Sequence, residues 1–425
     1  MTVTVFIVSL LAAMALGMPI AFALIVCGAA IMLQQGNFDS QIIAQNMISG
    51  ADSFSLMAIP FFMLAGQFME AGGISKRIVG FADTVVGHLR GGLGYVAVFA
   101  AVILASVSGS AIADTAALST LLLPLMAKAG YNKERSGGLI ASAGIVAPML
   151  PPSLAFIVFG VTANLSITKL FVAGIVPGLM MGGSLVFTWW WLCRKSDLPI
   201  QKRKTLREMM AAFKGAFWAL LMPVVIVGGL KFGIFTPAET GAVVAFLSLV
   251  VGMFVYRELK PKMLYNLVLR AAKSTAVVMF LVAAALVSSW LITIADIGGD
   301  VVTLLHPLLG SKLLLMLAVT LLVIVVGTAM DLVPTVLILT PILMPMIKEA
   351  GIDPIYFGVV FIMNNAIGLI TPPVGTVLNV VCGTGEMSMD DLMKGVWPFL
   401  LAETIVLFLL VLFPFLVTLP MKWLL

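Results

Sequence analysis

Charged residues are scarce in this sequence. Asp, Glu, Lys and Arg together make up only 10% of its 425 residues, against about 25% in an ordinary soluble domain. Hydrophobic residues make up 61%, and the mean hydropathy is +1.17. A soluble fold cannot bury that much apolar side-chain surface, so the composition excludes one.

Several signatures of other function classes are also lacking. The net charge of +5 comes from basic residues scattered over short loops, which excludes a nucleic-acid-binding face. The three cysteines, Cys27, Cys193 and Cys382, lie too far apart for a metal or redox motif. No Gly-x-x-x-x-Gly-Lys-[Ser/Thr] phosphate-binding loop occurs, so nothing supports ATP-driven transport.

Long apolar segments, by contrast, recur along the whole chain. This pattern predicts an all-α polytopic membrane protein, because a helix of about 20 apolar residues crosses a bilayer. Trp189, Trp190 and Trp191 precede a basic linker near 194–208. Tryptophans followed by basic residues are typical of a cytoplasmic membrane interface, which orients the chain.

The apolar stretch 93–127 joins two basic loops that are both expected to be cytoplasmic. It must therefore enter and leave the membrane on the same side, and its middle, 106–110, is rich in serine and suits a chain reversal. Each arm of about 15 residues gives about 22 Å of helix, too short for a hydrocarbon core of about 30 Å. We expect a re-entrant helical hairpin with its tip inside the membrane.

Proline motifs indicate that the two halves of the chain are repeats. The Pro-Pro pairs at 151–152 and 372–373 each follow another proline, Pro124 and Pro345, by 27 positions. The segment that ends at Asp114 in the first half also resembles the one that ends at Asp331 in the second. Two related halves are therefore predicted.

The proposed halves, 1–210 and 211–425, each contain one hairpin, at 93–127 and at 313–347. The loops that flank the first hairpin hold six basic residues, and those that flank the second hold two. By the positive-inside rule, the second hairpin should enter from the opposite side. Inverted repeats with broken helices at the membrane midplane are the architecture of secondary transporters.

Each hairpin tip should expose the N-terminus of a helix near mid-membrane. The free N–H groups and the positive dipole end there favour an anion, and ionisable residues inside a membrane are functional by default. The substrate-binding candidates are the polar, acidic and glycine residues Ser108, Gly109, Ser110, Asp114, Glu239, Thr328 and Asp331.

Structural roles are the alternative for these residues. Ser110 and Thr328 have the residue types of helix caps, and Thr328-x-x-Asp331 has the form of a capping box. Asp114 and Asp331 are candidates for binding Na⁺, a proton or a polyol, or for capping. Glu239 is either a first-turn acid favoured by the helix dipole or a site residue on a broken helix.

The two proline pairs should interrupt their helices and free backbone carbonyls upstream. Carbonyls and hydroxyls together make an oxygen cage that suits Na⁺, although a simple kink is the alternative. Asn364 and Asn365 are further polar residues at membrane depth. The candidate Na⁺ ligands are Ser106, Ser153, Gly327, Thr371, Gly375 and Thr376.

Five motifs resemble those of a known family, the large membrane subunit of tripartite ATP-independent periplasmic (TRAP) transporters, DctM-like. The motifs are Ser-Gly-Ser-Ala-x-Ala-Asp-Thr-Ala-Ala (108–117), Ala-Pro-Met-Leu-Pro-Pro-Ser (147–153), Phe-Thr-Pro-Ala-Glu-Thr-Gly-Ala-Val (235–243), Met-Asp-Leu-Val-Pro-Thr (330–335) and Ile-Thr-Pro-Pro-Val-Gly (370–375). The similarity covers essentially the whole chain.

The resemblance implies an elevator-type, Na⁺-driven importer of the bacterial inner membrane. It also implies a small four-helix membrane partner, a periplasmic solute-binding protein and contact with membrane lipid. The implied substrates are organic-acid anions: sugar acids, keto acids, dicarboxylates or sialic acid. The sequence looks most like the sugar-acid, diketogulonate-type branch, and the substrate candidates above fall on the family's hairpin and motif positions.

Two other function classes remain as alternatives. An intramembrane aspartyl protease would also use two membrane aspartates, but it would leave the repeats and proline pairs without a role. A channel or scaffold subunit is compatible with broken helices. Saturable flux that depends on a Na⁺ gradient distinguishes a carrier from a channel.

Overall fold

The structure, a computed structural model, describes residues 2–424 except 197, 199, 297, 298 and 300–309. All regular elements in these described ranges are helices. Nine of them are long and apolar enough to cross a membrane. A bent pair of shorter helical segments, Lys133–Met149 and Leu154–Thr162, makes a tenth span if the pair is counted as one crossing. The prediction of an all-α polytopic membrane protein is confirmed.

The N-terminal region contains five helices before the first hairpin. The apolar stretch 3–33 forms two helices, because Gly17 (φ +77°) and Pro19 interrupt it. A short 3₁₀ turn leads into the fourth helix. These elements are α1 (Thr2–Ala15), α2 (Ile20–Gln34), α3 (Ser40–Ala51), α4 (Ala58–Ala71) and α5 (Ile74–Val86).

The first helical hairpin and a broken helix follow. The hairpin reverses at Gly109, and the next helix breaks at the first proline pair, where its two parts are bent by 41°. A 3₁₀ turn precedes that break. The helices are α6 (Gly92–Ser108), α7 (Ala111–Lys128), α8 (Lys133–Gly144), α9 (Leu154–Thr162) and α10 (Ile167–Cys193).

The second half has three helices and then repeats the order of hairpin, broken helix and long helix. A π-helical turn, Val251–Val255, directly continues the second of these three helices, Pro237–Val250. The helices are α11 (Leu206–Lys231), α12 (Pro237–Val250), α13 (Pro261–Ile294), the hairpin arms α14 (Lys312–Ala329) and α15 (Leu332–Glu349), α16 (Pro354–Gly368), α17 (Thr376–Gly385), α18 (Met389–Leu412) and α19 (Phe415–Leu424).

Two details of the hairpins differ from the sequence-based expectation. The arms have 17 or 18 residues rather than about 15, because each reversal takes up only two residues, Gly109–Ser110 and Met330–Asp331. The sequence places the tip of the second hairpin at Gly327–Ala329. The structure has the reversal at Met330–Asp331, because α14 continues to Ala329 and Asp331 caps α15.

The two hairpins pack against helices of the opposite half. Helix α17, which follows the second proline pair, packs along α7 of the first hairpin, and α9, which follows the first pair, packs along α15 of the second. The two hairpins and the helices that follow the proline pairs therefore form the contact between the halves.

Candidate functional site

The tip of the first hairpin is held by side-chain hydrogen bonds. The Ser108 hydroxyl donates to Asp114 Oδ1 at 2.5 Å, and the backbone N–H of Ser110 donates to Ser108 Oγ at 3.2 Å. Ser110 caps α7, since its Oγ accepts from Ala113 N at 3.4 Å. Three of the predicted residues therefore form one connected group, with Asp114 almost fully buried.

This first tip packs against the first proline pair. A Cβ on Gly109 (φ +63°) would overlap the carbonyl oxygen of Pro152, so only glycine allows so close an approach. Ser153, directly after the pair, donates to Pro148 O at 2.5 Å and accepts from Phe156 N at 3.2 Å as the cap of α9. The tip and the helix break thus form one continuous polar patch.

The second tip is capped differently from the prediction. Asp331 is the N-cap of α15, and its Oδ1 accepts from Leu332 N at 2.9 Å. The Thr328 hydroxyl donates back to Val325 O at 2.8 Å, within α14. The capping box suggested by Thr328-x-x-Asp331 is therefore wrong, because the helix begins after Asp331 rather than after Thr328.

The second tip also contacts the proline pair of its own half. Val374 N donates to Thr328 O at 3.3 Å. A Cβ on Gly368 would lie 2.8 Å from Gly327 O, so two glycines allow the backbones to touch. Gly375 (φ +46°) begins α17 in the left-handed region, which again favours glycine.

Several buried oxygens near the tips have no hydrogen-bond partner among the described residues. They are Asp114 Oδ2, Thr115 Oγ1, Ser142 Oγ, Asn364 Oδ1, Asn365 Oδ1 and Thr376 Oγ1. Buried polar atoms are nearly always satisfied in native proteins, so each one points to an unseen water, ion or substrate. Oxygen-only groups of this kind fit a hard cation such as Na⁺.

Two of these oxygens, Asp114 Oδ2 and Thr376 Oγ1, come from different halves of the chain. Helices α7 and α17 pack along each other, and Gly385, the last residue of α17, lies against Leu123 in the C-terminal half of α7. Nine residues back along each helix are Thr376 and Asp114. Lys133, just beyond α7, donates from its Nζ to Glu386 O, just beyond α17, at 3.3 Å, so the two helices end together and run in parallel. At equal helical rise, Thr376 and Asp114 therefore lie at similar levels along their helices.

The remaining candidates make only local bonds. The Ser106 hydroxyl donates to Ile103 O at 2.7 Å, and the Thr371 hydroxyl donates to Ile367 O at 2.8 Å. Glu239 is exposed and completes a capping box with Thr236: its Oε2 accepts from Thr236 N at 2.7 Å. The hydrogen bonds described for Glu239 join it to neither hairpin, so the structure does not bring it together with the other candidates.

Thr115, Ser142 and Glu403 were not singled out from the sequence. Thr115 and Ser142 occur in stretches of small residues, where nothing marks them. The Thr115 hydroxyl lies where a Cβ on Gly144 would be. Glu403 is an acid in the middle of an apolar segment, which is a recognisable signal.

The comparisons with known proteins agree with the motifs. The sequence pattern described as "Tripartite ATP-independent periplasmic transporter, DctM component" matches residues 7–416, nearly the whole chain. The chain belongs to this TRAP transporter family. It is thus a multi-pass permease component of the bacterial inner membrane and not an enzyme, which removes the aspartyl protease alternative.

Named TRAP permeases match this chain along most of their length. It is 54% identical to the 2,3-diketo-L-gulonate TRAP transporter large permease YiaN of Escherichia coli, covering 100% of both chains. It is 36% identical to the sialic acid TRAP large permease SiaM of Vibrio cholerae, covering 94% of this chain and 93% of that one. These relatives confirm the family along the full length.

A solved transporter shares the fold of this TRAP permease. The YdaH transporter of Alcanivorax borkumensis superposes with a TM-score of 0.64, covering 87% of this chain and 86% of that one, at 15% identity. At so low an identity the likeness concerns the fold alone. It is consistent with a polytopic transporter architecture.

Glu403 offers a test of whether a buried polar group of this permease is structural. It is fully buried in α18, and both carboxylate oxygens lack a partner among the described residues. Leaving a buried polar group unsatisfied costs about 1–3 kcal/mol. We therefore expect Glu403→Leu to raise the melting temperature, as measured by scanning fluorimetry in detergent.

Two further variants control for packing and polarity at this position. Glu403→Gln keeps a polar group of the same size and should bring no gain in melting temperature, and Glu403→Ala should lower it by leaving a cavity. A lower melting temperature for Glu403→Leu would mean that the carboxyl group is satisfied by a bound water, proton or ion.

Proposed function

We propose that this TRAP permease is a Na⁺-coupled secondary transporter that imports an organic-acid anion. One observation carries the proposal: each hairpin tip packs on a proline break, and the helix that follows each break packs along a hairpin arm of the other half. Helix N-termini and hydroxyls can hold a carboxylate, while unpaired oxygens beside them can hold a cation.

The substrate anion is assigned to the two tips. Ser108, Gly109 and Ser110 present hydroxyls and the start of α7, and Thr328 presents a hydroxyl at the end of α14. Asp114 and Asp331 would accept hydrogen bonds from the hydroxyls of a polyol substrate. Glu239 remains a proposed substrate residue from its motif alone, since its capping box gives it a structural role.

Na⁺ is assigned to the oxygens at the breaks. The proposed ligands contribute hydroxyl or backbone oxygens and are Ser106, Ser153, Gly327, Thr371, Gly375 and Thr376. The unpartnered Thr376 Oγ1 is the clearest support. A bound cation would supply positive charge beside a substrate carboxylate, so that ion and anion binding favour each other.

A sugar acid is the proposed substrate class, because the relative at 54% identity is named for 2,3-diketo-L-gulonate. The family name implies a three-component system. We propose that the other components are a small four-helix membrane subunit and a periplasmic solute-binding protein that delivers the anion.

An elevator mechanism with inverted halves is proposed for the movement. Its support is the repeated order of hairpin, broken helix and long helix in 1–210 and 211–425. After replacement of the native cysteines, single cysteines at Arg135 and Asp353 should react with an impermeant thiol reagent from opposite sides of the membrane. Labelling of both positions from one side of intact cells would contradict inverted halves.

Uptake by the complete system tests the ion assignment. Proteoliposomes with this chain and its small subunit, supplied with binding protein loaded with 2,3-diketo-L-gulonate, should accumulate substrate under an inward Na⁺ gradient. ATP should have no effect, and uptake should saturate. Full uptake with K⁺ in place of Na⁺ would refute Na⁺ coupling, and flux without saturation would favour a channel.

A further inference from the structure

An apolar groove lies between the first arm of the first hairpin and α10. Its cavity volume is about 800 Å³. The lining from α6 includes Phe99 and Val102, and the lining from α10 includes Gly183, Val186 and Phe187. Phe187 is 65% exposed, so the groove opens to the surroundings of the helix bundle and not into its core.

One end of the groove is basic. Arg90, in the turn between α5 and α6, is the one charged residue among the described lining residues. Its Nη1 donates to Arg194 O at 3.1 Å, and the Arg194 guanidinium stands 5.6 Å from the ring centre of Trp191. Arg90 and the backbone of Arg194 are thus joined at this end of the groove, and Lys195 follows in the sequence.

The same end has the composition of a membrane interface. Trp190 lines the groove beside the cations, and tryptophan with arginine and lysine is typical of the headgroup level. Trp189 Nε1 donates to Gly91 O at 2.8 Å, which holds the α5–α6 turn, and with it Arg90, against α10. The apolar remainder of the groove therefore extends from headgroup level toward the bilayer core.

We propose that this groove is a binding site for an anionic phospholipid. One acyl chain occupies the apolar channel between α6 and α10, and the phosphate lies at Arg90. Basic pockets between transmembrane helices bind anionic lipid headgroups by this combination. Because α6 ends at Ser108, the lipid supports the arm that carries the first tip, which goes beyond the proposed substrate and ion sites.

The size of the groove favours a lipid over a partner helix. A transmembrane helix about 10 Å wide and 30 Å long fills roughly 2,400 Å³, about three times this cavity. The cations at one end and the apolar walls match the two parts of a phospholipid. A helix would need neither the charge nor its location at headgroup level.

Two substitutions separate the chain-binding and phosphate-binding parts. A Cβ on Gly183 meets nothing within 4 Å, so Gly183→Leu fills the groove without a collision at its first atom. Arg90→Gln removes the charge only. Gly228→Leu, on α11, is the matched control, because Gly228 also has nothing within 4 Å and does not line the groove.

Lipid retention is measured by native mass spectrometry on the full chain after washing in detergent with phosphatidylglycerol or phosphatidylcholine. The unsubstituted chain should keep phosphatidylglycerol about fivefold better, the preference expected from one Arg near an anionic headgroup. Gly183→Leu should lose both lipids, Arg90→Gln only the preference, and Gly228→Leu neither. Size-exclusion profiles confirm folding of each variant.

Two outcomes overturn the proposal. Equal retention of lipid by Gly183→Leu and Gly228→Leu would mean that lipids bind elsewhere. In the complex co-purified with the small membrane subunit, loss of that subunit from Gly183→Leu with lipid retention unchanged would assign the groove to the subunit.

Discussion

Gly109→Ala should abolish substrate uptake, whereas Gly130→Ala should leave it nearly intact. Both glycines have positive φ, +63° and +80°, so alanine costs each of them roughly 1 kcal/mol of backbone strain. Only at Gly109 does the new Cβ overlap another atom, the carbonyl oxygen of Pro152, while nothing lies within 4 Å at Gly130. The alanine must push the first tip away from the first proline break.

The two variants should therefore differ in stability as well as in function, because only Gly109→Ala adds an overlap with backbone to the cost of positive φ. Gly130→Ala should lower stability by about 1 kcal/mol and keep its uptake. Gly109→Ala should lose uptake of 2,3-diketo-L-gulonate in the reconstituted three-component system, normalised to folded protein by size-exclusion profile. Equal uptake by the two variants would show that close packing of tip and break is not needed for transport.

Asp114→Asn should also abolish uptake, with little effect on folding. One oxygen of Asp114 accepts from Ser108, and the other has no partner among the described residues. Asparagine keeps the size of the side chain and one acceptor oxygen, but it removes the charge and the second acceptor oxygen with which Asp114 would hold the hydroxyls of a polyol substrate. The loss should appear in uptake while the size-exclusion profile and insertion stay normal.

An aspartate that lies outside both hairpins, Asp353, provides the control. Asp353 caps α16, where its Oδ1 accepts from Ile355 N at 2.7 Å. Asparagine caps a helix about as well as aspartate, so Asp353→Asn should change stability by at most about 1 kcal/mol and leave uptake intact. Asp331→Asn makes the same change at the second tip, where lost uptake would point to a role beyond capping.

Near-normal uptake by both the Asp114 and Asp331 variants would contradict the acidic part of the site. Hydroxyls and backbone groups of the tips would then remain as the substrate contacts. Loss of uptake by Asp353→Asn as well would show that the assay responds to any cap substitution.

Much of the fold could be predicted because paired prolines and glycine- and serine-rich turns interrupt helices, whereas single prolines such as Pro124 and Pro345 lie inside continuous helices. The first hairpin and both proline breaks lie where the sequence indicates, since few other residues end a helix inside a membrane. The second tip was misplaced by two to three residues. The choice between Thr328 and Asp331 as a cap depends on which side-chain oxygen reaches a free N–H group, and both have suitable chemistry.

The contacts that assemble the site could not be predicted in the same way. The packing of α17 on α7 and of α9 on α15 joins residues more than 150 positions apart, and no local pattern encodes it. Glu239 illustrates a related limit. An acid that follows Thr-Pro-Ala can complete a capping box at the start of a helix, or it can be a site residue on a broken helix. Only the hydrogen bonds to Thr236 show the first of these roles.

The exchange of α9 and α17 between the halves has the pattern of an isologous dimer interface. In a twofold dimer, surface i of one subunit contacts surface j of the other, and j contacts i in return. Here the arm of each hairpin is contacted by the helix that follows the other half's break. The proposed binding site would therefore span two halves that contact each other as the subunits of an isologous dimer do, and neither half alone would complete it.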